Sequence, residues 1–312
     1  MNSSARDIRT AVIVSVVLLG CLLRAQNTGP AESGEIVFDS EREGQAGVFV
    51  MAADGTNVRR VLLTPPGKDS GFPDWSPDRR NIAFASDRDG LWEIYVIRAD
   101  GTGLRRLTET SVANSGDEPE NDSPDWSPDG RQIAFRSGPA GADHIAVMNA
   151  DGSDRRALTP PIGTSFPAWS PDGLKLAFAR TEIGKRDIYV MNADGSDARA
   201  ITQSAGRAQR LGGVAWSPDG TRILFDTRWG GDWDLWVVNA DGSGQRQLTR
   251  VGADTARAAW SPDGKRIAFH STRDKPTGSQ IMDYEIYVMD ADGSNIRRLT
   301  FNKAFDAHPD WR

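Results

Sequence analysis

One cysteine in 312 residues excludes a disulfide framework and any cysteine-rich metal site. Three histidines leave little material for a histidine-based metal centre. A basic excess is also missing, with 37 Lys and Arg against 43 Asp and Glu and a net charge of −6. Nucleic-acid affinity comes largely from neutralising phosphates, so this balance, with no local basic block, argues against a nucleic-acid partner. Long apolar runs are absent beyond the amino terminus, so membrane contact is expected only through that segment. No G-x-S-x-G nucleophile elbow occurs, which removes the usual signature of a serine hydrolase.

The amino-terminal segment carries Arg6 and Arg9 ahead of an apolar run from Ala11 to Leu23. That run suits the core of a secretory signal and is short for a membrane span. Residues 1–25 are expected to be a signal peptide and residues 26–33 a linker. Cys21 follows Gly20 in L-L-G-C, which resembles a bacterial lipobox, where the cysteine becomes a lipidated amino terminus. The other reading is an ordinary signal cleaved near Ala25, with Cys21 discarded.

What the chain has in quantity is repetition. W-S-P-D units begin at Trp75, Trp126, Trp169, Trp216 and Trp260, and Trp311 is a sixth copy cut short. A-D-G units place aspartates at 54, 100, 151, 194, 241 and 292. Both series advance by 43 to 51 residues, the period of a four-stranded propeller blade. The first strand of each unit ends at Trp, S-P-D-G makes a turn, and the second strand ends in Phe. The third strand carries an aromatic at Phe49, Tyr95, Tyr189, Trp236 and Tyr287, with Ala146 as the exception. A-D-G closes the last hairpin, its glycine supplying a positive φ. Arg79 replaces the turn glycine in one copy, so that turn is expected to differ. Arg59, Arg105, Arg156, Arg199, Arg246 and Arg297 recur on the outermost strand, where charge protects an exposed edge. The chain starts at the second strand of a blade and ends on a first strand. The expected fold is therefore all-β: a six-bladed propeller over residues 34–312, closed by the C-terminal strand completing the first blade.

The motifs W-S-P-D-G-x-x-I-A-F and I-Y-V-M-N-A-D-G-S-x-x-R-x-L-T resemble the propeller repeats of TolB and its relatives. The resemblance implies a periplasmic protein whose propeller binds a protein partner, in TolB the peptidoglycan-associated lipoprotein. TolB has a smaller α/β domain ahead of its propeller; here only the linker separates the signal from the first strand.

Candidate site residues fall on the face opposite the repeated hairpins, where irregular loops sit on a rigid scaffold. Glu109, Asp117, Glu118, Glu120, Asp122 and Asp125 crowd one connection without a Lys or Arg. Such clustered oxygens suit Ca²⁺ or a basic partner, or simply a solvated loop. Arg207 and Arg210 can receive a carboxylate or remain solvated. Trp229 and Trp233, with Trp92 and Tyr284 in the slot of Trp233, suit protein or glycan contact or rim packing. Glu93, Asp187, Asp234 and Glu285 open the third strands and are read as structural acceptors for loop N–H groups. His308, on a channel-side strand, can reach the channel mouth, whereas His144 and His270 belong to other blades.

The function expected is an exported, non-catalytic, protein-binding scaffold in the bacterial envelope. It is expected to be monomeric, periplasmic or extracellular, and cofactor-free unless the acidic loop holds Ca²⁺. Partner contact is assigned to Asp117, Glu118, Glu120, Asp122, Arg207, Arg210, Trp229, Trp233 and His308. The alternatives are a metal-assisted propeller lyase or lactonase acting on a sugar-type substrate, and a ligand-sensing module.

Overall fold

The W-S-P-D-G unit makes its turn by local hydrogen bonding. The Ser76 hydroxyl donates to Asp78 Oδ1 (2.7 Å) and accepts the Asn81 N–H (3.0 Å), while Asp78 Oδ1 also accepts the Arg80 N–H (3.0 Å). The same bonds recur at Ser127, Ser170, Ser217 and Ser261. Four of these turns put glycine at a φ of 68–70°. Arg79 takes φ 57° and keeps every bond, so the expectation of a different turn fails. The hydrogen bonds hold the non-glycine residue in a left-handed conformation that costs about 1–3 kcal/mol.

The computed structural model describes residues 34–110, 120–182, 185–203, 211–228, 232–250, 252–274 and 283–312. Six four-stranded antiparallel sheets account for every strand among them. The innermost strands of blades 1 to 6 are Asp306–Trp311, Ser70–Trp75, Glu120–Trp126, Thr164–Trp169, Leu211–Trp216 and Thr255–Trp260. Blade 1 is closed as expected: Asp306–Trp311 pairs antiparallel with Glu35–Ser40, and Glu35 and Arg312 exchange backbone bonds of 2.8 and 3.1 Å.

The core lies between blades. Ile36, Phe38 and Phe49 of blade 1 pack against Ala268, Ile286 and Val288 of blade 6, and equivalent clusters join the other neighbours. In-register aromatic pairs such as Phe84–Tyr95 and Phe269–Tyr287 stack at 5.7 and 5.8 Å. Blade 3 has Ala146 opposite Phe135, and there the Arg155 guanidinium covers the ring at 5.3 Å. A cation–π contact thus replaces the missing aromatic.

The recurring arginines do more than guard an edge. Arg59 Nη1 donates to Ala99 O (2.7 Å), Arg246 Nη1 to Asp292 O (3.2 Å) and Arg297 Nη1 to Asp54 O (3.5 Å), each reaching the next blade's A-D-G hairpin. The hairpin glycine permits that close approach. A Cβ on Gly101 would come within 2.8 Å of Val61 O in the preceding blade, at a φ of 84°.

The repeated carboxylates at the start of the third strands are structural, though their partners are mostly not backbone N–H groups. The Thr202 and Thr249 hydroxyls donate to Asp187 and Asp234 (both 2.9 Å), and Thr300 donates to Glu285 (2.6 Å). Glu93 accepts from Thr108, Arg106, Asn121 and one backbone donor, Thr110 N–H.

Candidate functional site

Every innermost strand breaks its pairing register three residues before its Trp. At that bulge stand Phe72, Ser123, Phe166, Gly213, Arg257 and His308. Five are non-glycine residues at φ 48–56°. A bulge re-aims its residue out of the ladder. Here all six line one cavity of about 660 Å³, whose rim is formed by Pro77, Pro128, Pro171, Pro218 and Pro262 of the S-P-D-G turns. The cavity therefore opens on the hairpin face, opposite the loop face named from sequence.

Side chains from separate blades meet at its floor. The Arg257 guanidinium sits 3.8 Å from the Phe166 ring centre and 5.0 Å from that of Phe72, and Phe72 packs on His308 at 4.3 Å. Gly213 leaves room for this arginine, since a Cβ there would lie 3.0 Å from Arg257 Cδ. Burial lowers the Arg257 pKa, opposed by Asp226, Asp122 and Asp39. Its backbone N–H donates to Asp226 Oδ1 (3.0 Å). Burial raises Asp226 to about 6 against the pull of Arg257.

Beside this floor, His308 N–H donates to His270 Nδ1 (3.1 Å), and His308 Nδ1 lies 2.8 Å from Asp39 Oδ1. Burial holds both imidazoles well below their ordinary pKa, with Arg257 adding to the effect, and raises Asp39 well above its own. Both rings are therefore neutral near pH 7.

Two residues beyond the bulge, the wall changes character around the ring. Asp310, Asp74 and Asp125 occupy blades 1–3, where Ala168, Ala215 and Ala259 occupy blades 4–6. Each aspartate accepts the Trp N–H of the following blade through Oδ2: Asp310 from Trp75 (3.0 Å), Asp74 from Trp126 (2.7 Å) and Asp125 from Trp169 (2.7 Å). Burial, then the neighbouring carboxylates Asp310 and Asp125, raise Asp74 well above the usual carboxylate range. Burial raises Asp125 to about 7. Arg312 stands close by, 3.9 Å from Asp310, its pKa lowered by burial but raised overall by Asp310, Asp74 and Asp125.

Of the candidate site residues named from sequence, His308 and Asp125 line this cavity. Asp117, Glu118, Arg207, Arg210, Trp229 and Cys21 lie outside the described residues. Glu120 and Asp122 are drawn onto Arg136, which also holds Asp143 at 3.3 Å. Their countercharge comes from the neighbouring strand, which a scan of the acidic loop alone does not show. Trp233 is half-buried, and its carbonyl accepts the Thr255 N–H (2.8 Å). The carbonyls of Trp92 and Tyr284 likewise accept the first strand of the next blade, at Asn121 and Asp306. This slot therefore anchors successive blades. Sequence reasoning missed Arg257, Phe72, Phe166, Asp74 and Arg312. Their signal is departure from the repeat just before Trp, in T-A-R-A-A-W against S-G-F-P-D-W.

A closed six-bladed propeller with a charged axial cavity defines the class. Within it, the sequence matches the TolB beta propeller domain over residues 65–164, 160–282 and 205–312, and the chain belongs to that family. Among solved structures, it is similar to TolB from Acinetobacter baumannii, with 20% identity, 90% of this chain and 67% of that one covered, and a TM-score of 0.73. A putative TolB from Agrobacterium tumefaciens is 22% identical, with 90% and 99% covered and a TM-score of 0.68. Oligogalacturonate lyase in complex with manganese is 18% identical, with 86% and 74% covered and a TM-score of 0.51. No curated protein matches the sequence.

Proposed function

We propose that this chain is an exported, non-catalytic binding scaffold of the bacterial envelope that engages a protein partner. The observation that carries this reading is the ring itself. Blade-to-blade arginine clamps and a closing strand hold two differentiated faces, one of short hairpins around an axial cavity and one of irregular loops. Family membership supports it, and so do the signal-like amino terminus and the similarity to TolB structures.

Photo-crosslinking from single positions on each face, in intact cells, tests the reading. A discrete adduct from one face, lost when Trp233→Ala or the Glu120→Lys change is added on the loop side or Arg79→Glu on the hairpin side, supports it. No adduct from either face would overturn it. Intact-mass analysis of the mature chain separates a lipidated Cys21 from cleavage near Ala25.

The lyase reading draws on His270, His308 and Asp39 in the channel and on the manganese-bound lyase neighbour. Among the described residues no group of three or more His, Cys, Asp or Glu side chains stands together to hold a metal, so the scaffold reading is put first. Turnover of an oligogalacturonide by the purified chain would restore that reading.

A further inference from the structure

The axial cavity presents unmet groups of both signs. Among the described residues, Arg257 makes no hydrogen bond or ion pair through its guanidinium, although that group is enclosed between two phenyl rings. Stacking on aromatic faces leaves the in-plane N–H donors free, the edge with which arginine takes a carboxylate in bidentate fashion. Nearer the mouth, the arc of Asp310, Asp74 and Asp125 spends one oxygen of each carboxylate on a backbone N–H and leaves Oδ1 without a hydrogen bond. Three carboxylates face one arginine there, and burial together with their mutual repulsion raises Asp74 and Asp125, so a cation placed on the arc would draw these groups into their charged form. In the same wall Trp126, Trp169 and Trp260, only 4–8% exposed, have indole N–H groups with no partner, whereas Trp216 Nε1 donates to Ala168 O (3.1 Å).

We propose that the cavity binds a small zwitterion, a short peptide with free termini, its carboxylate on Arg257 and its ammonium on the Asp310–Asp74–Asp125 arc. The two charge centres are two strand residues apart, about 7 Å along the channel. A single α-amino acid, whose charges share one carbon, is too short to bridge them, whereas three extended residues span up to about 10 Å. This inference rests on the cavity's own floor and wall residues and does not require the protein-partner reading.

Triglycine, N-acetyl-triglycine and triglycinamide serve as probes for the full chain, read by calorimetry and by the fluorescence of the cavity tryptophans. Triglycine is expected to bind saturably, with either blocked form weaker by about tenfold or more. Arg257→Gln should weaken peptides with a free carboxylate and leave triglycinamide unchanged. Asp74→Asn and Asp125→Asn keep the acceptor for the Trp N–H and should weaken only peptides with a free amine. Should Arg257→Gln fail to fold, the blocked peptides still test each end on the unaltered protein. Equal binding of all three peptides, or no saturation by triglycine up to about 10 mM, would overturn the proposal.

Discussion

Blades 1–3 and blades 4–6 share one backbone and divide cleanly by charge at one wall position. The first half places Asp310, Asp74 and Asp125 over the following blade's Trp N–H, and the second half places three alanines there. The difference shows that the aspartates are not required to build a blade, since three blades form without them. Burying three carboxylates in one arc costs stability unless each is paired. Here each is only half paired. That cost is retained on one side of the ring, which marks the arc as a feature of use rather than of folding.

The comparison breaks most severely if the acidic half loses its closing strand. Deleting His308 to Arg312 removes Asp310, Arg312 and the burial of Trp311. The indole alone, roughly 200 Å² at about 25 cal/mol per Å², is worth about 5 kcal/mol, against roughly 5–15 kcal/mol for a typical domain. The shortened chain is expected to lose cooperative thermal unfolding. An unchanged melting curve would refute closure by this strand.

Changing pH sharpens the comparison next. Asp125 titrates at about 7 when folded and near 4 when unfolded, so the native state holds the extra proton between those values. Stability is therefore expected to fall as pH rises from 4 to 7, by on the order of 2–4 kcal/mol from this group. Asp226, raised to about 6, acts in the same direction. The turn aspartates such as Asp219, held at about 2 first by the Ser217 hydroxyl, act in the opposite sense and only at acid pH. Denaturant midpoints between pH 5 and 8 measure the slope, which Asp125→Asn should flatten. A slope that survives this change assigns the effect to other groups.

Clamp removal should cost less. Arg297→Ala loses an exposed bond to Asp54 O across the blade 6–blade 1 junction, about 0.5–1 kcal/mol by chemical denaturation. A loss above about 2 kcal/mol would give the clamps a larger share in holding the ring. The smallest expected effect is a gain. Arg79→Gly relieves the one non-glycine S-P-D-G turn and should stabilise by about 0.5–1 kcal/mol. Destabilisation would mean that Arg79, which borders the cavity mouth, makes a contact worth more than the strain.

The architecture was legible because it is written six times. Blade number, strand order, the two hairpins and ring closure all follow from the spacing of Trp and A-D-G. The cavity was not legible for the same reason: its residues are those in which the copies disagree. Arg257 sits in an apolar strand and reads as an interruption. Strand alternation gives no sign that a bulge turns it toward the axis and stacks it on Phe72 and Phe166 from two other blades. Loop irregularity pointed instead to the opposite face. There Glu120 and Asp122, together with Asp143, are already drawn onto Arg136.

The left-handed bulge has a consequence for how such a ring can change over time. A residue excluded from the ladder carries no pairing duty, so its identity can drift while the sheet beneath it stays in register. Phenylalanine, serine, glycine, arginine and histidine all occupy that station within this one chain, on backbones that remain four-stranded. The axis is in effect a socket with six interchangeable inserts. New binding chemistry can arise there by single substitutions, without a folding intermediate that the repeat does not already support.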